Sequence, residues 1–394
     1  MPRHSVTVNC LTPSSFEVDQ IRGMFDIKTT SEASETFEVE LPNVDELINN
    51  KPWQLGVIVG PSGSGKTTVA GDVFGKCLYT SNNWDHNRSP VEQFDGTDVK
   101  ILTSVLNAVG FSSPPSWIKP YGVLSGGEKF RCDLAHALLC GDQSLVVFDE
   151  FTSVVDRTVA KIGSAAIAKS IRSGRINKKF VAVTCHYDVL DWLEPDWVLD
   201  MASGELARGR LRQRPEIKLE VAPVHYSSWD VFRRHHYLNT SIMKGSHCYM
   251  ATWNGEPVAF SSWTHRMARG GCKGDMREHR TIVLPDFQGV GIGNRLSELC
   301  ASIWTGLGRR AYSTTSHPAM IYFRRKSSSW KMIRHGMTSP SGRTGVLRVN
   351  ATSEGTSTGR ITGGFQYIGP PMKYEQAKNL IDNKPTSLKK AAKQ

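Results

Sequence analysis

Residues 55–68 read Leu55-Gly56-Val57-Ile58-Val59-Gly60-Pro61-Ser62-Gly63-Ser64-Gly65-Lys66-Thr67-Thr68. The first five form an apolar run of strand length that stops at a glycine, and the next eight satisfy GxxxxGK[ST] in full. Glycines in such a loop let backbone N–H groups curl around phosphates, Lys66 neutralises the β- and γ-phosphates, and the Thr67 hydroxyl ligates Mg²⁺. The stretch therefore predicts a buried strand, a phosphate cradle reaching Thr68 and a helix, with ATP and Mg²⁺ as the expected ligands.

Outward from this loop, the pattern predicts an earlier strand at Phe37 to Leu41, a short helix and strand over 69–80, and helices over 98–110 and 127–140. Leu145-Val146-Val147-Phe148 and Phe180-Val181-Ala182-Val183-Thr184 have the length and apolar continuity of two more buried strands, and Trp197-Val198-Leu199-Asp200 reads as another. Alternating strands and helices specify an α/β domain on a parallel sheet. The strand at 145–148 ends in Asp149 and Glu150, an arrangement in which the first carboxylate holds Mg²⁺ and the second polarises an attacking water.

Between these motifs lies Leu124-Ser125-Gly126-Gly127-Glu128, running into Lys129-Phe130-Arg131. With it, residues 20–207 resemble the ABC ATPase family, LSGGE standing for the commoner LSGGQ. The resemblance implies that Lys66 and Thr67 bind phosphates and Mg²⁺, Asp149 supports the metal, Glu150 is the general base and His186 senses the γ-phosphate. It further implies that Asp156 lines a dimer seam and that Ser125, Gly126 and Gly127 contact the nucleotide of an opposite protomer, so that a homodimer forms composite ATP sites. Gln93 aligns with the glutamine that reports on Mg²⁺, although only 26 residues follow Lys66 before it, and Phe37 with the aromatic that stacks on adenine. Phe151 stands where the family usually has proline.

Charge divides the chain. Residues 1–215 hold 22 Lys+Arg against 26 Asp+Glu, whereas residues 216–394 hold 26 against 11. So basic a half favours an anionic partner, nucleic acid or a phosphate-rich cofactor. The arginine-rich segment 208–215 reads as a linker, bounding a first domain at 1–207, a second at 216–372 and a frayed basic tail at 373–394. No run reaches the ~18–20 apolar residues of a membrane helix, no apolar signal core is present, and the eight cysteines are scattered without zinc spacing. A cytoplasmic protein is expected.

In the basic half, Val283-Leu284-Pro285-Asp286-Phe287-Gln288-Gly289-Val290-Gly291-Ile292-Gly293 passes from a strand into a helix whose apolar period is 3.6, and such a turn seats a pyrophosphate. A dinucleotide fingerprint and a purely structural loop are alternatives. The run is similar to the Q/RxxGxG/A motif of the GNAT acyltransferases, which implies an acetyl-CoA site built on Gln288, Gly289, Gly291 and Gly293 within an α+β domain. Strands at Cys248 to Trp253, Pro257 to Trp263 and Ala311 to Thr315 fit that domain. Tyr322, aligned with a family acid, reads as a core residue. His235-His236-Tyr237 and Ser316-His317-Pro318 could touch an acceptor. The domain order resembles a prokaryotic and phage group of ABC ATPases fused to acetyltransferases. The functions left open are a nucleic-acid-linked acyltransferase, a nucleic-acid clamp with a non-catalytic C-terminal domain, and the ATP-binding subunit of a transporter.

Overall fold

The computed structural model describes residues 3–11, 14–25, 32–40, 53–140, 144–209, 214–236, 241–266, 274–337 and 361–382. The chain divides into two compact units, Met1–Asn83 with Asp133–Pro215, and Trp84–Cys132 with Glu216–Gln394. This differs from the linear division expected from the sequence: residues 84–132 group with the C-terminal half.

In the first unit, Arg3–Leu11 (β1) and Glu32–Glu40 (β2) pair antiparallel from Arg3↔Glu40 to Leu11↔Glu32. Leu55–Val59 (β3), Leu78–Tyr79 (β4), Leu145–Phe148 (β5), Lys179–Thr184 (β6), Trp197–Asp200 (β7) and Glu205–Arg208 (β8) form a sheet in the order β4-β5-β6-β3-β7-β8. Every pair is parallel except β7/β8. Strands covered on both faces must be apolar throughout, which is why β3 and β5 are buried along their whole length. At Gly56 a Cβ would lie 2.1 Å from Trp197 Cζ2, so glycine lets the β7 indole lie against β3. Asp196 accepts from the amides of Gln54 (2.7 Å) and Leu55 (3.0 Å) and from Arg172 Nη1 and Nη2 (both 2.8 Å). It thereby ties the entry to β3 to the end of the helix Arg157–Arg172. Burial alone would raise the Asp196 carboxyl, but the Arg172 guanidinium and the two amides hold it below its ordinary value.

Several boundaries differ from the sequence reading. The second strand spans Glu32–Glu40, with Leu41 outside the described residues, and the helix after the phosphate loop begins at Lys66 rather than 69. Arg208, taken as linker, closes β8, while Arg210 to Gln213 lie outside the described residues.

In the second unit, β9 (Glu220–Val224), β10 (His247–Trp253), β11 (Glu256–His265), β12 (Met276–Val283), β13 (Ala311–Thr315), β14 (Trp330–Met337) and β15 (Ile361–Tyr367) form one sheet in the order β14-β15-β13-β12-β11-β10-β9. Its one parallel pair, β12/β13, is joined by the helix Ile292–Gly306. Leu296, Cys300, Ile303 and Trp304 of that helix pack on Trp263 and Met276, while Trp229, Phe232 and Phe260 belong to a separate apolar cluster. The tail is not wholly frayed. Tyr374–Asp382 is a helix with Ala377 buried, and residues 383–394 lie outside the described residues.

The parallel strands β12 and β13 pair only at Met276↔Ala311 and Arg277↔Tyr312. Beyond that point side chains bridge them. Glu278 accepts from Ser313 Oγ, from Arg324 Nη2 (2.9 Å) and from Thr281 Oγ1 (2.5 Å), and Arg324 Nη2 also donates to Ser297 Oγ (2.7 Å). The Arg324 guanidinium, wholly buried, lies 4.5 Å from the centroid of the Trp330 ring. Burial would raise the Glu278 carboxyl, yet the Arg324 charge and the neighbouring hydroxyls hold it below its ordinary value. Removing one partner of a buried pair strands the other, so Arg324→Met should cost about 3–5 kcal/mol of stability in denaturant unfolding. Adding Glu278→Leu should restore much of that loss.

Candidate functional site

Parallel pairing decides where the motifs meet. The phosphate loop follows β3, Asp149 and Glu150 follow β5, and His186 follows β6. Because β5, β6 and β3 are neighbours pointing the same way, all three ends share the carboxyl edge of one sheet, where α/β folds bind ligands.

The loop is shaped as its sequence requires. Gly63 and Gly65 both sit at φ 79°, a conformation that strains any side chain, and a Cβ at Gly60 would come within 2.8 Å of Ser64 Oγ. Ser64 Oγ is buried without a hydrogen-bond partner among the described residues. Lys66 is buried and spans the loop, Nζ donating to Pro61 O at 2.7 Å. Pro61 and Ser62 are exposed, and Thr68 is half-buried on the helix's first turn. Thr67 Oγ1 donates to Asp149 Oδ1 at 3.1 Å, which sets a hydroxyl and a carboxylate, the donor types that would hold a divalent cation, side by side. An orphaned hydroxyl, open left-handed glycines, a lysine at the loop and a hydroxyl–carboxylate pair fit a nucleotide triphosphate with Mg²⁺.

Glu150 is exposed at φ 50°, a left-handed conformation that costs a non-glycine residue of order 1 kcal/mol. Ser153 Oγ donates to its Oε2 at 2.5 Å, a support the sequence reading missed. Phe151 explains its own departure from proline: its N–H donates to Val183 O at 2.8 Å, a bond proline lacks, and its buried ring packs edge-on against Phe148 and Phe180. Asp156 N-caps the helix Arg157–Arg172 by accepting from Thr158 and Val159 amides.

Other expected site residues belong to the second unit. Ser125 and Glu128 form a reciprocal cap: Glu128 Oε2 accepts from Ser125 N (2.9 Å) and Oγ (3.0 Å), and Ser125 Oγ accepts from Glu128 N (3.3 Å). The acidic residue of LSGGE thus opens the helix Gly126–Leu139, leaving Ser125 and Gly126 exposed and Gly127 buried. Gln93 is held within its own turn: its Oε1 accepts from Asp85 N at 2.7 Å and its Nε2 lies 3.1–3.3 Å from the carbonyls of Asp85, Arg88 and Ser89. The Phe37 side chain lies outside the described residues.

The glycine-rich turn after β12 has Gly289 at φ 92° and Gly291 at φ 104°, the latter opening the helix Ile292–Gly306. A Cβ at Gly293 would press on Val283 Cγ2 at 3.0 Å, so that glycine serves the close approach of helix to strand. The half-exposed Gln288 joins two backbone groups: Nε2 donates to Val283 O (2.9 Å) and Oε1 accepts from Ser112 N (2.8 Å). Tyr322, read as core, is instead exposed and accepts a hydrogen bond from Lys326 Nζ at 2.6 Å. His236 is buried against Trp229, His235 accepts from Arg234 Nε, and His317 Nε2 lies 3.3 Å from Ser112 O; Tyr237 lies outside the described residues.

These features give the chain an ABC-ATPase-type similarity, and a comparison of sequences bears this out. It is 29% identical over 170 residues to the zinc import ATP-binding protein ZnuC of Paracoccus denitrificans (strain Pd 1222), covering 38% of this chain and 64% of that protein's length. Among solved structures, a bacterial Atm1-family ABC exporter with ATP bound aligns at 19% identity and TM-score 0.33 over 45% of this chain and 35% of its own. A nucleotide-free ATP-binding cassette from an ABC transporter aligns at 14% identity and TM-score 0.33 over 46% and 88%. No family model matches the chain. No described helix is long and apolar enough to cross a membrane.

His186 titrates below the ordinary histidine value, chiefly through burial and then through Arg157, with Asp188 and Glu150 opposing. The unfolded chain therefore takes up this proton first as pH falls, near pH 6.5. The contribution to stability is complete above that value and is lost as pH drops toward the lower folded value. Urea midpoints between about pH 5 and 7 should fall less steeply in His186→Gln than in the native protein.

Proposed function

We propose that the chain is a cytoplasmic ATP-hydrolysing ABC-type ATPase that closes as a homodimer around composite sites. Its seven-stranded unit is an acyl-CoA-dependent N-acyltransferase acting on, or docked to, nucleic acid. The observation that carries the ATPase reading is the convergence of Lys66, Thr67, Asp149, Glu150 and His186 on the adjacent ends of β3, β5 and β6. Lys66 with the N–H groups of Gly60 and of Ser62 to Thr68 would hold the phosphates, and Thr67 with Asp149 would hold Mg²⁺, which when bound neutralises phosphate charge. Glu150, steadied by Ser153, takes the proton of the attacking water, and neutral His186 senses the terminal phosphate. Ser125, Gly126 and Gly127 serve the partner's nucleotide.

The acyltransferase reading is supported by the left-handed turn at Gly289 and Gly291, the helix start behind it, and the parting of β12 from β13 beside it. Amides bared at such a turn suit the pyrophosphate of acetyl-CoA. The excess of Lys+Arg in residues 216–394 supports an anionic partner. A second reading, the ATP-binding subunit of a transporter, is favoured by the similarity to ZnuC and by exposed apolar side chains at Val99, Ile101, Ile118 and Val123.

Glu150→Gln should abolish ATP turnover while ATP still binds, and ATP should then drive dimerisation visible by light scattering; turnover at the native rate would remove Glu150 as the base. Calorimetry should detect acetyl-CoA binding that Gly291→Leu abolishes with little change in ATPase rate. Absence of binding to the native protein would discard the acyltransferase reading and leave the nucleic-acid clamp and the transporter subunit.

A further inference from the structure

The second unit contains a connection that neither motif alone explains. Arg131, on the LSGGE helix, is wholly buried. Its Nη1 donates to Gly127 O at 3.1 Å, inside the signature, and its Nη2 donates to Asp286 O at 3.2 Å, inside the turn that leads to Gly289 and Gly291. The Asp286 carboxylate lies 4.0 Å from Nη1. A second tether runs parallel to the first. Ser112, in the loop after the helix Val99–Ala108, donates its N–H to Gln288 Oε1, while its carbonyl meets His317 Nε2 at the start of the helix Pro318–Lys326. Gln288 in turn holds Val283 O at the end of β12.

We propose that Arg131 is a positioning residue that transmits movement of the signature helix to the glycine-rich turn, so that the nucleotide state sets the shape of the acyl-CoA cradle. This rests on the reading that ATP acts on the signature. Two features make the guanidinium suited to the role. Its planar fork grips one carbonyl of the signature and one of the turn, so a displacement of either is felt by the other. The turn it grips also depends on two left-handed glycines, whose wide conformational range lets a small pull reorient the amides they carry. The Ser112–Gln288 bond supplies the fixed point against which that pull acts.

The test is hydrogen exchange on the full-length Glu150→Gln protein with and without ATP. Amides of 286–293 should change their exchange rate about five-fold or more on ATP addition, the lower range of allosteric coupling. Arg131→Met should abolish that response while residues 60–68 still become protected by ATP. Gln288→Leu, at a half-exposed side chain, breaks the second tether and should weaken the response if Arg131→Met misfolds. Exchange in the helix Ile292–Gly306 without ATP checks that each variant keeps its fold. A response at 60–68 with none at 286–293, or one at 286–293 that survives Arg131→Met in a variant that keeps its fold, overturns the proposal. Failure of 60–68 to respond overturns the ATPase reading and this inference with it. None of these outcomes depends on acetyl-CoA being the ligand of the turn.

Discussion

The parallel ladder joining β5, β6 and β3 is the constraint on which the first unit depends. Its register, Leu55↔Phe180 to Val59↔Thr184 and Leu145↔Lys179 to Phe148↔Ala182, brings three distant loops to one edge. A slip of one residue would turn each side chain to the opposite face and carry Asp149 away from Thr67. Asp196, just before β7, fixes β3 where it begins against that other neighbour, because its carboxylate accepts two consecutive backbone amides while gripping Arg172.

Legibility in the sequence followed the range of the interaction. The strands Leu55–Val59 and Leu145–Phe148 were readable because burial on both faces leaves an unbroken apolar run, and the phosphate loop because left-handed backbone selects glycine at fixed spacing. The Ser125–Glu128 cap spans three residues and is likewise local. What escaped was non-local. Nothing about Ser112 or Arg131 as letters marks them as partners of Gln288 and Asp286, roughly 155–176 positions away. Gln93 matched its motif by residue type, and four polar atoms of residues 85–89 hold its carboxamide. The helix Tyr374–Asp382 was hidden by its polar composition, since Ala377 is its buried anchor and alanine carries little hydrophobic signal.

Glu150 and Phe151 illustrate how a strained site is stabilised by its neighbour. The left-handed backbone at Glu150 opposes folding, and the Phe151 amide bond to Val183 with the packing of its ring between Phe148 and Phe180 offsets it. The buried ring thus holds the adjacent carboxylate at the surface.

The interleaving of the two units also shapes how the chain is made. β3 ends at Val59, but its neighbours β6 and β7 begin at Lys179 and Trp197, so at ~5–20 residues per second a ribosome leaves that apolar strand without its ladder for roughly 6–24 s. Residues 84–132 wait longer, because the turn that Ser112 and Arg131 grip lies beyond Val283. The first unit closes only after residues 84–132 of the second have been made, and until β6 emerges the nascent chain carries β3 as an unshielded, aggregation-prone segment.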